Sequence, residues 1–488
     1  MAKKEKAKSK DLSRRERIIK QPITNFIDTK YRDYAVYVLE ARGIPNWQDG
    51  ITPVSRYVLM NAPSSFQKTL TLVGSVISSG YHHGDAGLSK NISRLARPFG
   101  NSLQLLEGYG FFGTEVCQEA AAARYTSVKL SKAASDVIKK YDYLNTREKD
   151  GPYDPLWMEF PIGLTNTICG IAVGYNSFVL PRNPIHIREF LEGKRKTVKP
   201  YITDFLGTIT KFKELDKSWL LSANIAEEGK KFKISSVPPI IKYATILKKM
   251  NNISTKFPNI RYLDNSNKKV DIEITYLGNN QQECDALKEL IFKSFSILVN
   301  ENPVFIKDGQ VIVYESIEQY LEDYKYQVER LKLNSAQHLC DKTNNELEYE
   351  KAKKEFIKFM ITKKRINDEI DEYFKKLNSD NKQIIEEIQT SNIEKLERLT
   401  SRKFTLDEIK TCEKNIIDLT MDLKVRKADV SKLKKEFEKL IDPTIKRGIT
   451  SKKSNSLFEG EVDEFNGIEV WGGDEIIEVE GTKSEDED

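Results

Sequence analysis

A heptad pattern late in the chain restricts its fold more than any other feature. Apolar residues recur there at alternating spacings of three and four, with one polar break: Ile409, Cys412, Ile416, Leu419, Leu423, Arg426, Val430, Leu433, Phe437 and Leu440. This spacing predicts a long helix that buries one stripe against another helix. A capping box, from Thr405 to Glu408, marks its start, and the sequence "DPT" from Asp442 marks its end.

A second seam lies about 90 residues earlier, at Ile317, Leu321, Tyr324, Val328 and Leu331. Glycine and proline nearly disappear between about 313 and 442, and Glu/Lys-rich helical sequence replaces them. Together the seams predict an antiparallel stalk with a small helical cap at its far end. Heptads alone would favour a coil that joins two copies of the chain.

The preceding sequence mixes both kinds of secondary structure. Residues 30–150 combine short amphipathic helices with Gly-rich turns, and residues 151–312 contain strand-like runs such as "KFKISSVPPII" and "KKVDIEITYL". With 488 residues, the chain is long enough for roughly three domains. We therefore predict a mixed α/β, multidomain protein.

The charge of the chain is unevenly distributed. Residues 451–488 hold 13 acidic and three basic residues, so this tail carries −10 within a net charge of +5, and the rest carries about +15. A basic body indicates a polyanionic partner, nucleic acid first, although a solvated lysine-rich surface would have the same composition. The acidic tail is either a disordered solvated segment or a segment that docks a partner or mimics DNA.

Other classes are excluded by what the sequence lacks. No run approaches the roughly 18 apolar residues of a membrane span, and the basic N-terminus has no apolar segment behind it. The cysteines are scattered without a CxxC pair, which argues against a disulfide framework and a cysteine-based zinc site. They are Cys117, Cys169, Cys284, Cys340 and Cys412. We expect a soluble, intracellular protein.

Basic and histidine side chains in the first region suit a phosphodiester backbone. Arg42 and Arg56 lie around an Asp-Gly turn, and Lys68 follows. His82 and His83 are adjacent at a Gly turn, which is too close for the i, i+4 spacing of a zinc helix. Hydrogen bonding to phosphate or general acid chemistry fits them better.

The stretch "AAAARYTSVKL", residues 120–130, holds the candidate nucleophile. Its four alanines predict the buried end of a helix. Tyr125 is either a half-buried tyrosine with a hydrogen-bonded hydroxyl or a nucleophile. A phenol needs a base, a cation or a metal to ionise near neutral pH, and Arg124 next to it would balance negative charge on a phosphoryl transition state.

Five motifs in order carry a family resemblance: "YAVYVLEARGIPNWQDGITPVSRYVL", "YHHGD", "EGYGFFGT", "AAAARYT" and "GIAVGYNSFVLPRNP". Over residues 25–442 the chain resembles the breakage-reunion, gyrase A-like subunit of type IIA DNA topoisomerases, its phage members in particular. The resemblance implies that Tyr125 attacks DNA to form a 5′-phosphotyrosyl link. It implies catalytic roles for Arg124 and His83, and DNA-binding roles for Arg42, Arg56, Lys68, His82 and Ile171, the last as an apolar wedge that bends DNA.

The resemblance also implies a domain layout, which runs in order along the chain. A basic N-terminal arm is followed by a winged-helix DNA-cleavage domain that holds Tyr125, an α/β tower domain, an antiparallel coiled-coil stalk, a small helical exit-gate domain and an acidic disordered tail. The corresponding residues are 1–24, 25–150, 151–312, 313–362 with 405–442, 363–404, and 443–488.

Partners follow from motifs that are absent. The chain has no "EGDSA", no "DxDxD" and no "GxxxxGK[ST]" motif. The resemblance therefore implies that a partner subunit binds Mg²⁺ and ATP, and that two copies of this chain join it in a hetero-oligomer on double-stranded DNA. The expected location is the host bacterial cytoplasm, for a phage-encoded protein. The alternative is a non-cleaving DNA-binding scaffold on the same dimeric frame.

Some positions depart from the family. Ser55 and Tyr57 flank Arg56, where many relatives have a second basic residue, and Ala86 and Lys90 replace a serine and an acid after "HGD". Gyrase-like quinolone binding is therefore not expected. No β-pinwheel repeat follows residue 442, so DNA wrapping and active negative supercoiling are not expected either.

Overall fold

A computed structural model describes most of the chain in two compact units. The first comprises Met1–Lys140, Asn145–Tyr324 and Ile449–Asp488, and the second comprises Tyr141–Leu144 and Lys325–Gly448. The described residues are 23–145, 153–212, 217–362, 395–396, 398–399 and 405–440, with the backbone of 469–471 and 476–477.

The helices lie in both units. They are α1 (Ile23–Phe26), α2 (Arg32–Val38), α3 (Pro53–Asn61), α4 (Thr69–Ser78), α5 (Asp85–Ala96), α6 (Lys132–Ile138), α7 (Pro184–Leu191), α8 (Tyr243–Lys256), α9 (Gln281–Ser294), α10 (Ile317–Thr362) and α11 (Leu406–Phe437). Turns of π-helix (Ile27–Tyr31, Leu39–Gly43) and of 3₁₀-helix (Lys139–Leu144, Ile162–Thr165) lie between them.

The strands form sheets in the first unit. They are β1 (Gln67–Lys68), β2 (Leu106–Tyr109), β3 (Ser127–Leu130), β4 (Ile168–Ala172), β5 (Tyr175–Val179), β6 (Thr208–Lys211), β7 (Ser218–Ser222), β8 (Asn224–Glu228), β9 (Lys231–Ser236), β10 (Ile260–Asp264), β11 (Ile272–Tyr276), β12 (Ser296–Asn300), β13 (Val304–Lys307), β14 (Gln310–Val313), β15 (Glu469–Trp471) and β16 (Ile476–Ile477). Their orders are β1-β3-β2, β10-β11-β9-β8, β16-β15-β12-β7-β6, β13-β14 and β4-β5.

One core of the first unit lies between its two larger sheets and helices α8 and α9. Strand β9 shows why these residues pair: Phe232 and Ile234 alternate with lysines and are buried. Side chains two apart on a strand share a face, so this alternation puts one apolar face against Met250 and Ile291 of the helices. Each such side chain contributes roughly 1.5–3 kcal/mol on burial. The predicted strands of this region are confirmed.

A buried aromatic cluster anchors the start of α10 to the first unit. Tyr320 stacks on Phe305 with ring centroids 4.1 Å apart, and its hydroxyl donates to the carbonyl of Trp47 at 2.7 Å. The ring of Tyr324 packs at 5.8 Å from that of Trp47. The first turns of α10, up to Tyr324, therefore pack in the first unit, although the sequence predicted that they belong to the stalk.

Two long helices run antiparallel in the second unit. Tyr326 of α10 packs on Phe437 of α11 at 5.0 Å, whereas Lys353, further along α10, pairs at 2.7 Å with Glu408 near the start of α11. Cys412 and Leu423 are the buried positions of the predicted seam. The long helix over the heptads is confirmed, although it ends at Phe437.

The predicted capping box is half confirmed. The Thr405 hydroxyl accepts a hydrogen bond from the amide of Glu408 at 3.2 Å and so satisfies one of the free N–H groups at the start of α11. The carboxylate of Glu408 binds Lys353 instead of reaching back to Thr405. One cap residue thus also joins the two long helices.

Several expectations fall on residues outside the described part. These are the basic arm up to residue 22, most of the predicted gate domain at 363–404, and most of the tail. Within the tail, β15 pairs in parallel with β12, at Ile297 with Glu469 and at Val299 with Trp471. In the described part of the chain, no helix combines the length and apolar character that crossing a membrane requires.

Candidate functional site

Tyr125 lies in a turn that leads into β3. The amide of Ala121 donates to the carbonyl of Phe111 at 3.0 Å, and the amide of Leu70 donates to the carbonyl of Ala123 at 3.2 Å. The amide of Tyr125 donates to the carbonyl of Ala122 at 2.9 Å, which closes the turn. The predicted helix at 120–123 is therefore wrong, because these contacts with distant segments hold the alanines in a non-helical path.

The residue after Tyr125 anchors the turn. Thr126 is 1% exposed, and its hydroxyl lies 2.8 Å from the hydroxyl of Thr69, whose amide donates to the carbonyl of Thr126 at 3.0 Å. The buried Thr126 thus fixes the end of the turn in which Tyr125 lies. Tyr125 itself is 71% exposed.

Two exposed cations accompany this tyrosine. Arg124 precedes it in the chain, and Lys68 of β1 pairs in register with Ser127, two residues after it. Among the described residues neither cation forms an ion pair, so both are available to an anionic ligand. The turn thus presents a phenol and two positive charges on one surface.

A second group of predicted residues surrounds His83. The ring of His83 packs edge-on against Tyr81 at 5.2 Å, and its Nε2 lies 3.4 Å from the Tyr37 hydroxyl. Burial lowers the pKa of His83 below 6.5, and the positive charges of Arg42 and then His82 lower it further. At pH 7 the His83 imidazole is therefore neutral. Neither tyrosine was predicted as a site residue, although Tyr81 directly precedes the histidine pair.

Replacement of Arg42 by glutamine should raise the pKa of His83 toward 6.5, because removal of a nearby positive charge makes protonation easier. NMR titration of the four histidine Cε1 protons, with the His83 signal assigned from a His83→Gln spectrum, measures the shift. Lys248→Gln removes a charge from an exposed position of α8 and should leave the titration midpoint of His83 unchanged. A wild-type midpoint at or above 6.5 would contradict the structure.

Arg56 lies inside the unit, against the buried carboxylate of Asp49. Its Nε and Nη2 donate to Asp49 at 2.7 and 2.9 Å, and Nη2 also reaches the carbonyl of Ile51 at 3.2 Å. Arg56 is 5% exposed and Asp49 is fully buried. The observed function of Arg56 is to hold the Asp-Gly turn in place, and its predicted DNA contact stays a prediction.

A cavity of about 560 Å³ lies against the histidine pair. Its lining includes Tyr37, Glu40, Arg56, Tyr81, His82 and His83. His82 is exposed and His83 is half-buried, so the pair borders both the cavity and solvent.

Ile171 lies in β4, on the β4–β5 hairpin. It is 60% exposed, and a Cβ added to Gly43 would lie 2.5 Å from its carbonyl oxygen. Only glycine permits this close backbone packing at residue 43. Because Gly43 directly follows Arg42, the packing brings Ile171 beside the group of residues around His83. No hydrogen bond or ion pair among the described residues joins this group to the Tyr125 turn.

The acidic side chains do not gather into a metal site in the part of the chain that the structure describes. Within those ranges, no group of three or more His, Cys, Asp or Glu side chains is placed to hold a metal ion.

Known proteins resemble the chain over most of its length. The family model for the A subunits of DNA gyrase and topoisomerase IV matches residues 42–445. The DNA topoisomerase medium subunit of Enterobacteria phage T4 is 32% identical over 202 residues, 38% of this chain and 46% of that protein. The DNA gyrase A subunit of Ureaplasma parvum is 32% identical over 203 residues, 39% of this chain and 24% of that protein. These alignments span less than half of each relative.

A solved structure shows the same fold. The DNA-binding, cleavage and re-ligation domain of Plasmodium falciparum topoisomerase II superposes with a TM-score of 0.68 at 21% sequence identity. The match covers 85% of this chain and 63% of that one. The mixed α/β architecture is therefore that of a type II topoisomerase core.

Proposed function

The chain belongs to the family of DNA gyrase and topoisomerase IV A subunits, and on that premise we propose that it is the DNA cleavage and religation subunit of an ATP-dependent type II DNA topoisomerase. The observation that carries the proposal is the position of Tyr125. It is 71% exposed on an anchored turn, next to two cations without acidic partners among the described residues. A scaffold that only binds DNA would not need such an arrangement.

In the proposed reaction, the Tyr125 oxygen attacks a backbone phosphorus atom and its proton leaves to solvent. The bond from phosphorus to the 3′ oxygen breaks, and that oxygen takes up a proton. The products are a 5′-phosphotyrosyl ester and a free 3′ hydroxyl. Because the ester keeps much of the energy of the broken phosphodiester, attack by the 3′ hydroxyl reseals the strand without ATP.

Arg124 supplies positive charge where the transition state gains negative charge, and Lys68 holds the cut DNA segment. Arginine stays protonated at any physiological pH, and its planar guanidinium suits phosphate oxygens. The neutral His83 has one ring N–H that can donate to a phosphate oxygen, and His82 and Arg42 are exposed beside it. Ile171, exposed on its hairpin, is the proposed wedge between base pairs.

The Arg124→Gln variant should cleave DNA about 10²–10³-fold more slowly, the cost of removing one preorganised donor to a developing oxyanion. Rapid-quench measurement of adduct formation under saturating DNA gives the rate. Lys248→Gln makes the same charge change at an exposed position of α8 and should retain the wild-type rate. Equal slowing in both variants would mean that Arg124 contributes only general attraction for DNA.

The remaining chemistry is assigned to a partner subunit. We propose that this partner binds most of the Mg²⁺, which supplies charge neutralisation at the scissile phosphate, and that ATP binds there as well. Two copies of this chain would join the partner around double-stranded DNA, so that a second duplex passes through the break. Relaxation of supercoils and decatenation would follow, in the host bacterial cytoplasm.

The finer domain assignments belong to the same proposal. The first unit would contain the tower at 151–312 and, apart from Tyr141–Leu144, the winged-helix domain at 25–150. The antiparallel α10 and α11 would form the coiled-coil stalk, and residues 363–404 the exit gate where two copies meet. The pairing of Lys353 with Glu408 within one chain supports a stalk built from a single copy.

A covalent trapping experiment tests the function. The chain, its partner subunit, Mg²⁺ and end-labelled DNA are mixed, stopped with detergent and separated under denaturing conditions. Protein attached to the 5′ end of the cut strand is the expected result. DNA binding without any adduct, at high protein concentration and in the presence of the partner, would favour the non-cleaving scaffold.

A further inference from the structure

The outward face of the β1-β3-β2 sheet carries a surface that the proposed chemistry does not use. Val128 and Leu130 of β3 are buried, so Ser127 and Lys129 face outward. Tyr109 of β2 and Lys68 of β1 both pair in register with Ser127 and therefore share this face. Tyr125 lies in the turn that leads into β3, two residues before Ser127.

Two large aromatic rings lie exposed on this face. Tyr109 is 72% exposed and Phe66 is 47% exposed, with ring centroids 6.0 Å apart at an angle of 57°. Lys129 lies over the Phe66 ring at 4.9 Å and pairs with Glu107 at 2.9 Å. Paired rings bordered by lysines are a costly surface in water, and they match the flat faces of nucleic acid bases.

The rings lie close to the nucleophile. Gly110 follows Tyr109 with φ of 108°, and a Cβ on it would lie 3.5 Å from the carbonyl oxygen of Tyr125. Tyr109 directly precedes Gly110, so covalent geometry puts the Cα atoms of Tyr109 and Tyr125 within roughly 11 Å of each other. At about 3.4 Å per base along one strand, this is at most about three nucleotides.

We propose that Tyr109 and Phe66 form a stacking platform for the base beside the broken phosphodiester. A base at a strand break is attached on one side only, so it leaves the helical stack at lower cost than an internal base. Lys68, exposed and without an acidic partner among the described residues, holds the adjoining phosphate. The platform therefore favours cleavage at nucleotides that stack well. This inference rests on the proposed function, because it places the break at Tyr125.

Nucleic acid is the occupant that the surface favours. The chain outside the acidic tail carries about +15, and Lys68 and Arg124 border the rings. A protein partner with an apolar patch would find two lysines at the edge of its contact. The same face is continuous with the turn that presents Tyr125, where DNA must lie if the proposed reaction occurs.

Comparison of nicked DNA with and without the base at the nick, in wild type and variants, tests the platform without requiring cleavage. Fluorescence anisotropy at one ionic strength gives Kd for a short nicked duplex and for the same duplex with an abasic nucleotide at the nick. Wild type should bind the intact form roughly tenfold more tightly, as one stacked base contributes. Tyr109→Ala should lose most of that ratio, and Tyr109→Phe, which keeps the ring, should retain it.

An unchanged ratio in Tyr109→Ala would overturn the platform. The Tyr109→Ala variant could also keep the wild-type ratio of Kd values but co-sediment more weakly with the partner subunit. That result would overturn the platform and make the face a protein interface. Covalent trapping on the same variants separates the two proposals. One outcome is that wild type binds the intact nicked duplex roughly tenfold more tightly than the abasic one and still forms no adduct. In that case the platform stands and the cleavage function fails.

Discussion

The Tyr125→Phe variant should form no covalent adduct with DNA while it binds DNA as tightly as wild type. The substitution removes one hydroxyl group, and no other described group is placed to attack phosphorus from that turn. Tyr125 is 71% exposed and makes no packing contact that the fold requires, so Kd should stay within roughly twofold. Detergent trapping on end-labelled DNA and fluorescence anisotropy, both with Mg²⁺ and the partner subunit, measure the two quantities.

Tyr201→Phe is the matched control, since Tyr201 is a surface tyrosine of the same unit at 40% exposure. It should form the adduct at the wild-type level. An adduct in Tyr125→Phe would mean that another residue is the nucleophile. Loss of DNA affinity together with the adduct would instead mean that the hydroxyl contributes to binding, and the nucleophile would remain to be located.

Local pattern predicted the parts of the fold that depend on neighbours in sequence. The heptad spacing predicted α11, the capping residue Thr405 lies at its start, and alternation predicted β9 and β11. These elements bury a face that the sequence already displays, so periodicity alone specifies them. The exposure of Tyr125 was not visible in the same way, because it depends on Thr126 meeting Thr69 of another segment.

The alanine run shows why local preference failed at the site. Alanine has the highest helix propensity, and four in succession predicted a helix end. The structure places Ala121 and Ala123 in hydrogen bonds with Phe111 and Leu70, which lie in other segments. Small side chains are what such close backbone approach requires, so the same residues serve a turn. Propensity is a weak preference that contacts of this kind override.

The two arginines of the site show the same limit. Arg56 and Arg124 are both arginines beside small or polar residues in the sequence. Arg124 is exposed next to Tyr125, whereas Arg56 is buried against Asp49, seven residues earlier. Composition predicted a phosphate contact for both. Only the three-dimensional position of Asp49 distinguishes an exposed arginine from an arginine whose charge is compensated inside the fold.

The Asp49→Asn variant should destabilise the first unit by about 3–5 kcal/mol, the cost of leaving a buried charge without its partner. Asp49 is fully buried and accepts four hydrogen bonds, two from Arg56 and one each from the amides of Ile51 and Leu156. Asparagine has one acceptor oxygen, and its amide group would face donors, so the Arg56 charge would lose its compensation.

Hydrogen exchange of peptides that cover residues 46–57 is the suitable measurement, because the two units need not unfold together. Protection there should fall by roughly two to four powers of ten, the exchange equivalent of that free energy. Asp136→Asn, on the exposed side of α6, should leave protection unchanged. The double variant Asp49→Asn with Arg56→Met should recover part of the loss, because it removes the unpaired charge. If the double variant is no more stable than Asp49→Asn, the destabilisation comes from the backbone contacts of Asp49 and not from its pairing with Arg56.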